Sequence, residues 1–242
     1  MMSLLDLIFP KRCINCHRIG CYFCKRCVTQ IKFIEYQICS VCQKYAIDGM
    51  THPKCKTRFS LDGLISFFHY EGIIRQAIKA VKYRLVSDIS EEIINLIPSS
   101  SIKRTFQQSG NSLIIVPIPL HPARLRFRGF NQAEVLGKFF AKRLGVPIRT
   151  DILKRVRKTI PQVEMKDRKK RLKNMEGVFS VNSRISGIHD AVIPVKSGTA
   201  SGQLTIILFD DVFTTGATIR SAANILKKTG ANSVWAVTLA HG

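Results

Sequence analysis

Three long apolar runs mark the chain from position 112 onward: SLIIVPIPL at 112–120, TIILFDD at 205–211 and SVWAVTLAHG at 233–242. The first is continuous, without the alternation of a strand that has one wet face, as expected for a strand buried on both faces of a parallel sheet. LDGLISFFHY at 61–70 reads as a further strand, and residues 177–181 as a short one. Helical periods lie between them. Residues 72–97 place Ile74, Ala77, Ile78 and Val81, then Ile89, Ile93, Ile94 and Ile97, at helical spacing. Residues 131–144 open on the cap Asn131 and stop at Gly145, and residues 217–230 end at Gly230. The polar stretches 99–112 and 186–203 read as loops. Strands alternating with helices predict an α/β domain built on a parallel sheet.

No apolar run reaches the roughly 18 residues of a membrane-spanning helix. The opening MMSLLDLIFPKRC is interrupted by Asp6 and lacks both a basic lead and a small-residue cleavage site, so it does not read as a secretory signal. Leu4, Leu5, Leu7 and Ile8 suit one face of a short helix. That face reads first as a lid on the core and second as a weak peripheral membrane anchor.

Charge changes the picture more than composition does. A hydrophobic content of 45% is ample for a packed core, but 38 Lys and Arg stand against 16 Asp and Glu, a net charge of +22. Such an excess opposes folding by self-repulsion and points to a polyanionic partner: nucleic acid, an anionic membrane face or a phosphate-rich ligand. Ten cations lie in 154–173, among them Lys169, Lys170 and Arg171, against Glu164 and Asp167. Arg124, Arg126, Arg128, Lys138, Lys142 and Arg143 occupy an earlier segment. Phe127 and Phe130 interleave with its arginines, an arrangement suited to base stacking beside phosphate contacts.

All 8 cysteines fall between positions 13 and 55. Cys13/Cys16, Cys24/Cys27 and Cys39/Cys42 are C-x2-C pairs, and His52/Cys55 repeats the spacing with one substitution. Such a knuckle lets both side chains reach one tetrahedral ion. Without an export signal, metal binding is favoured over a disulfide framework. Sequential pairing gives one site from Cys13, Cys16, Cys24 and Cys27 and another from Cys39, Cys42, His52 and Cys55. A cross-braced pairing is the alternative. Cys21 is the odd thiol, either a spare or a replacement for Cys24. Every ligand position is filled by protein, so the zinc is read as structural. The organisation expected is a double zinc ribbon over 1–60 and an α/β domain over 61–242.

The strongest chemical signal is IILFDDVFTTGATIRSA, 206–222. An apolar strand carries Asp210 and Asp211 at its end. Thr214, Thr215, Gly216, Ala217 and Thr218 follow, and a helix begins. Backbone N–H groups at a helix N-terminus form an anion site, reinforced by the helix dipole, and a glycine allows close approach. The two acids suit the diol of a sugar, directly or through a metal. The motif therefore reads as a sugar-phosphate site.

IILFDDVFTTGAT resembles the phosphoribosyl pyrophosphate (PRPP) signature of type I phosphoribosyltransferases. VPIPLHPARLRFRGFNQAEVL at 116–136, RKTIPQ at 157–162, RLKNMEGVF at 171–179 and IRQAIKAVKYR at 74–84 resemble segments of the ComF family of competence proteins, as do the knuckles. His52 departs from the family's usual cysteine, and the insert 189–203 is longer than expected. The resemblance implies a parallel-sheet type I phosphoribosyltransferase-like domain preceded by a small cysteine-rich zinc-ribbon domain. It implies that Asp210 and Asp211 hold the ribose hydroxyls with Mg²⁺ nearby, and that residues 214–218 bind the 5′-phosphate. The turn from Pro119 to Arg128, through Arg124 and Arg128, would meet the pyrophosphate. The basic stretch 154–173 would lie where these transferases often carry a mobile loop. It further implies a cytoplasmic role in natural transformation, at the inner face of the membrane, with competence proteins and single-stranded DNA as partners. Arg126, Arg128, Lys169, Lys170 and Arg171 are the candidate nucleic-acid contacts.

Three readings follow from different classes. They are a DNA-handling factor on a PRPP-binding fold, an active phosphoribosyltransferase, and a structural adaptor. The sequence displays no acceptor pocket and no general base, which leaves the second without a named catalytic residue.

Overall fold

The computed structural model describes residues 10–83, 86–101, 112–157, 177–182 and 204–242. The N-terminal apolar stretch 1–9, Lys169, Lys170, Arg171 and the insert 189–203 lie outside the described residues. In chain order the elements are α1 (Lys25–Val28), β1 (Gly63–His69), α2 (Gly72–Tyr83), α3 (Val86–Asn95), β2 (Leu113–Pro117), α4 (Pro122–Arg128), α5 (Gln132–Leu144), β3 (Leu153–Arg155), β4 (Phe179–Val181), β5 (Thr205–Phe213), α6 (Ala217–Lys228) and β6 (Ser233–His241).

β1, β6, β5 and β2 form a parallel sheet in that spatial order, and β3 and β4 make a separate antiparallel pair. The apolar runs are buried on both faces because the pleat sends alternate side chains into two cores. On one face Phe67, Ile207, Phe209 and Leu239 pack with α2, α3 and α5. Phe140 of α5 lies between Phe67 and Phe209, with ring centroids 5.8 and 5.3 Å away. On the other face Leu64, Ile206, Leu208 and Ala236 pack with Ile219, Ala222 and Leu226 of α6 and with Leu153 and Phe179 of the β3–β4 pair.

The helix expected over 72–97 is two helices, α2 and α3. A straight helix of that span would be about 39 Å long at 1.5 Å per residue. It would overrun a sheet whose longest strands cover roughly 30 Å. Dividing it lets Ile74 and Ile78 on one piece and Ile93 and Ile94 on the other reach the same core. α5 matches expectation at both ends: the Asn131 side chain accepts from Ala133 N–H, and Gly145 closes the helix in the left-handed region at φ 70°. α4 was not expected. Pro122 at its first turn and the His121 cap, whose side chain accepts from Ala123 N–H, start it.

Both edges of the sheet are covered. Beside β1, Ile34 N–H donates to Phe67 O at 2.8 Å and His69 N–H to Lys32 O at 3.0 Å. The Gln37 amide completes this edge, donating to Ser66 O at 3.0 Å and accepting from Ser66 N–H at 2.8 Å. Beside β2, Ile115 N–H donates to Pro147 O at 2.9 Å and Arg149 N–H to Ile115 O at 2.8 Å. Neither edge of the sheet is left as an open template for another strand.

The cysteine-rich segment belongs to the same core. Cys13, Phe23, Cys24, Cys27 and Ile31 are buried in the cluster that holds Phe68, Ile93 and Leu239. Tyr22 N–H donates to Glu92 Oε2 at 3.0 Å, and Lys11 pairs with Asp88 at 3.1 Å, so α3 is the docking face of the first knuckles.

Candidate anion-binding loop and metal centres

The ligand atoms of Cys13, Cys16, Cys24 and Cys27 all lie within 4.8 Å of one another, and so do those of Cys39, Cys42, His52 and Cys55. A tetrahedral zinc with bonds of about 2.3 Å separates its sulfurs by roughly 3.8 Å, so both sets fit the ion. The sets are sequential, and Cys21 stands outside both. The two knuckles repeat one backbone plan. His17 N–H donates to Cys13 O and Gln43 N–H to Cys39 O, each at 2.9 Å, and both His17 and Gln43 adopt φ 60°. Against burial, which alone would raise it, backbone donors from Cys16, Cys24 and Asn15 lower the Cys13 thiol to about 6. Cys39 is lowered to about 7 in the same way, with burial opposed by donors from Cys42, His52 and Val41. Amides that favour the thiolate favour the metal-bound form. His52 completes the second set: its Nε2 donates to Tyr45 O at 2.7 Å, which leaves Nδ1, 3.3 Å from Cys42 Sγ, for the metal. The departure from cysteine at this position is therefore chemically sound.

At the carboxyl edge of the sheet, β2 and β5 part company. Pro117 is the last residue of β2, opposite Phe209, and Ile118 N–H makes one more bond to Phe209 O at 2.9 Å. β5 continues beside β6 alone, with Asp210 opposite Thr238 and Phe213 opposite His241. The strand thus runs two residues past the acids rather than ending at them. Asp210 and Asp211 sit where the β2 flank has opened, the place at which ligands gather in parallel α/β sheets. Successive strand residues face opposite ways, and the two acids differ accordingly: Asp210 is half-buried, whereas Asp211 is only 6% exposed.

After Phe213 the loop reaches Gly216, which caps α6 with φ 71° and ψ 6° and, as a glycine, offers the first turn no capping side chain of its own. The Thr215 hydroxyl is buried and has no hydrogen-bond partner among the described residues. Arg220 donates from Nη2 to Thr215 O at 2.8 Å, and Gln43 donates from Nε2 to Thr214 O at 2.9 Å. The backbone donors of a helix start opened by a glycine, an orphaned hydroxyl and nearby cations suit a phosphate ester. Gly216 is required on two counts. Its φ is left-handed, and an added Cβ would stand 2.6 Å from two atoms of the Phe213 ring. Gly216→Ala is expected to lower stability by roughly 1–3 kcal/mol and to weaken anion binding. An unchanged urea midpoint would contradict this placement of the loop.

Arg155 is the site residue that sequence reasoning missed, since it lay unsingled among the ten cations of the basic run 154–173. Its guanidinium lies over the Phe179 ring, 5.7 Å from the centroid. Burial first, and the neighbouring Arg124 second, press it below the ordinary arginine range, while Asp210 opposes them. Arg124, Arg155 and Asp210 therefore share one electrostatic neighbourhood. Arg128 is held by the Gln132 side chain at the start of α5. Other cations of the early basic segment are committed elsewhere. Arg143 donates to Ile94 O and Ile97 O and so closes α3, and Lys138 pairs with Glu134 at 2.7 Å. Arg126 is exposed, and Phe127 is 90% exposed on the same short helix, whereas Phe130 is half-buried.

The fold and its metal ligands define a zinc-ribbon protein with a phosphoribosyltransferase-type parallel α/β sheet. Residues 4–56 match the double zinc ribbon domain. Over 236 residues the chain is 30% identical to Competence protein F of Haemophilus influenzae, covering 93% of this chain and 95% of that protein. It is 28% identical over 230 residues to Competence protein ComFC of Bacillus subtilis, with 89% and 82% covered. DNA utilization protein YhgH of Salmonella typhimurium is 24% identical over 229 residues, with 87% and 93% covered. The chain belongs to the ComF family. Its zinc is structural, and no described helix is long and apolar enough to cross a membrane.

Proposed function

We propose that this protein binds PRPP at the loop after β5 and single-stranded DNA on its basic surface, as a cytoplasmic competence factor in natural transformation. One observation carries the ligand reading. A strand bearing Asp210 and Asp211 leads into a helix start at a left-handed Gly216, beside the orphaned Thr215 hydroxyl. In this reading residues 214–218 take the 5′-phosphate, and the two acids take the ribose diol. Mg²⁺ bound with the ligand would neutralise its pyrophosphate. Arg155, whose charge is coupled to both Arg124 and Asp210, would supply positive charge where the pyrophosphate would lie. Calorimetric titration with PRPP, with and without a single-stranded oligonucleotide, tests both sites and their coupling. Absence of PRPP binding sinks the ligand reading.

The DNA reading rests on charge and on one ring. Phe127 stands out beside Arg126, so a base can stack where the backbone meets cations. Single-strand affinity is expected to fall steeply as salt rises. Phe127→Ala should weaken it by roughly one order of magnitude or more, since stacking contributes about 1–3 kcal/mol per base. Fluorescence anisotropy across a salt series reads both, and a flat salt response counts against the proposal.

A second reading, transfer of phosphoribose to an acceptor, is favoured by a cavity of about 450 Å³. Pro117, Leu120, His121, Glu134, Lys154 and Arg155 line it. It gives room for a second molecule beside Arg155. Release of pyrophosphate from PRPP in the presence of an acceptor would distinguish turnover from binding.

A further inference from the structure

The second zinc knuckle meets the phosphate loop through one hydrogen bond and one close approach. Gln43, which directly follows the ligand Cys42, donates from Nε2 to Thr214 O at 2.9 Å across 171 positions of sequence. Ser40, between the ligands Cys39 and Cys42, is fully buried, and its carbonyl lies 3.4 Å from where a Gly216 Cβ would stand. Gln43 holds φ 60°, a left-handed conformation, while its own N–H is bonded to Cys39 O. A non-glycine residue there costs backbone free energy, so the knuckle keeps a side chain at a position where glycine would be easier.

The Gln43 hydrogen bond has a directional consequence. A trans peptide is planar, with its C=O and N–H pointing in opposite directions. Fixing Thr214 O toward Gln43 therefore turns the Thr215 N–H away from the ribbon. Arg220 does the same for the next peptide by holding Thr215 O at 2.8 Å, which aims the Gly216 N–H. Two consecutive loop amides are thus oriented, one from the ribbon and one from α6.

We propose that Gln43 is a positioning residue for the phosphate loop, and that zinc in the Cys39–Cys42–His52–Cys55 site sets the affinity of that loop for a phosphate ester. The inference rests on the reading of residues 214–218 as the phosphate site. The metal fixes the knuckle, the knuckle places the Gln43 amide, and the amide holds the donor of Thr215 in its binding direction. With the first site filled and only the second knuckle without metal, Thr214 O is free to rotate, and binding must then order the loop as well as fill it.

Gln43→Gly tests this cleanly, because glycine accepts φ 60° and leaves the knuckle unstrained while removing the amide. The expected result is full zinc content and an unchanged thermal midpoint, with PRPP bound about five- to tenfold more weakly, the worth of one hydrogen bond. In the ligand-free protein, hydrogen exchange at Thr215 should quicken by a similar factor. His52→Ala, which weakens the second metal site, should reproduce both effects. Should His52→Ala fail to fold, Gln43→Gly carries the test alone. Wild-type affinity and exchange in Gln43→Gly overturn the inference. A wild-type protein that ignores PRPP overturns the ligand reading, while the exchange measurement still reports whether Gln43 holds the loop.

Discussion

Stripped of its zinc, the protein is expected to lose the α/β core along with the ribbon, in one transition. Cys13, Cys24 and Cys27 are buried in the cluster that contains Phe68, Ile93 and Leu239, so the first metal site lies under the sheet rather than on a detachable module. Structural zinc contributes about 10–16 kcal/mol of apparent binding free energy at neutral pH. A domain's whole net stability is about 5–15 kcal/mol. The Glu92 and Asp88 contacts would then hold a disordered partner. Calorimetry with and without a chelator, with metal content measured alongside, checks this. An α/β transition that keeps its midpoint after the metal is gone would contradict the shared core.

The second large effect concerns the acids. Asp210→Asn combined with Asp211→Asn should reduce PRPP affinity by roughly two to four orders of magnitude, taking about 1.5–3 kcal/mol for each hydrogen bond to a charged group. The substitutions preserve shape and remove the charge that would meet the diol and Mg²⁺. Asp211 also accepts from Val212 N–H at 2.9 Å, a bond its amide oxygen can keep, so the strand should survive. Circular dichroism and the thermal midpoint confirm folding, and calorimetry reads the affinity. Retention of wild-type affinity would remove these residues from the site.

Much of this was legible because it is local. The double-sided burial of 112–120, the cap at Asn131 and the stop at Gly145 are written in neighbouring residues, and so is the spacing of both metal sets. Four features were not. The division of 72–97 into two helices follows from the width of the sheet, which no periodicity encodes. The continuation of β5 beyond the acids depends on pairing with β6. Arg155 looked like one cation among ten in 154–173, and only burial against Phe179 and Arg124 distinguishes it. Gln43 meets Thr214 across nearly the whole chain, a contact that has no sequence signature.

The position of β6 bears on how the chain is made. β6 lies between β1 and β5, so among the described residues the strand partner of 63–69 is 235–241. The ribbon closes over short spans and needs just an ion, and it is complete once Cys55 has left the ribosome. β1 emerges next and must wait for nearly the entire remaining translation before it can pair. During that interval the 32–37 segment already lies along one side of β1, a temporary guard for a strand born long before its neighbour.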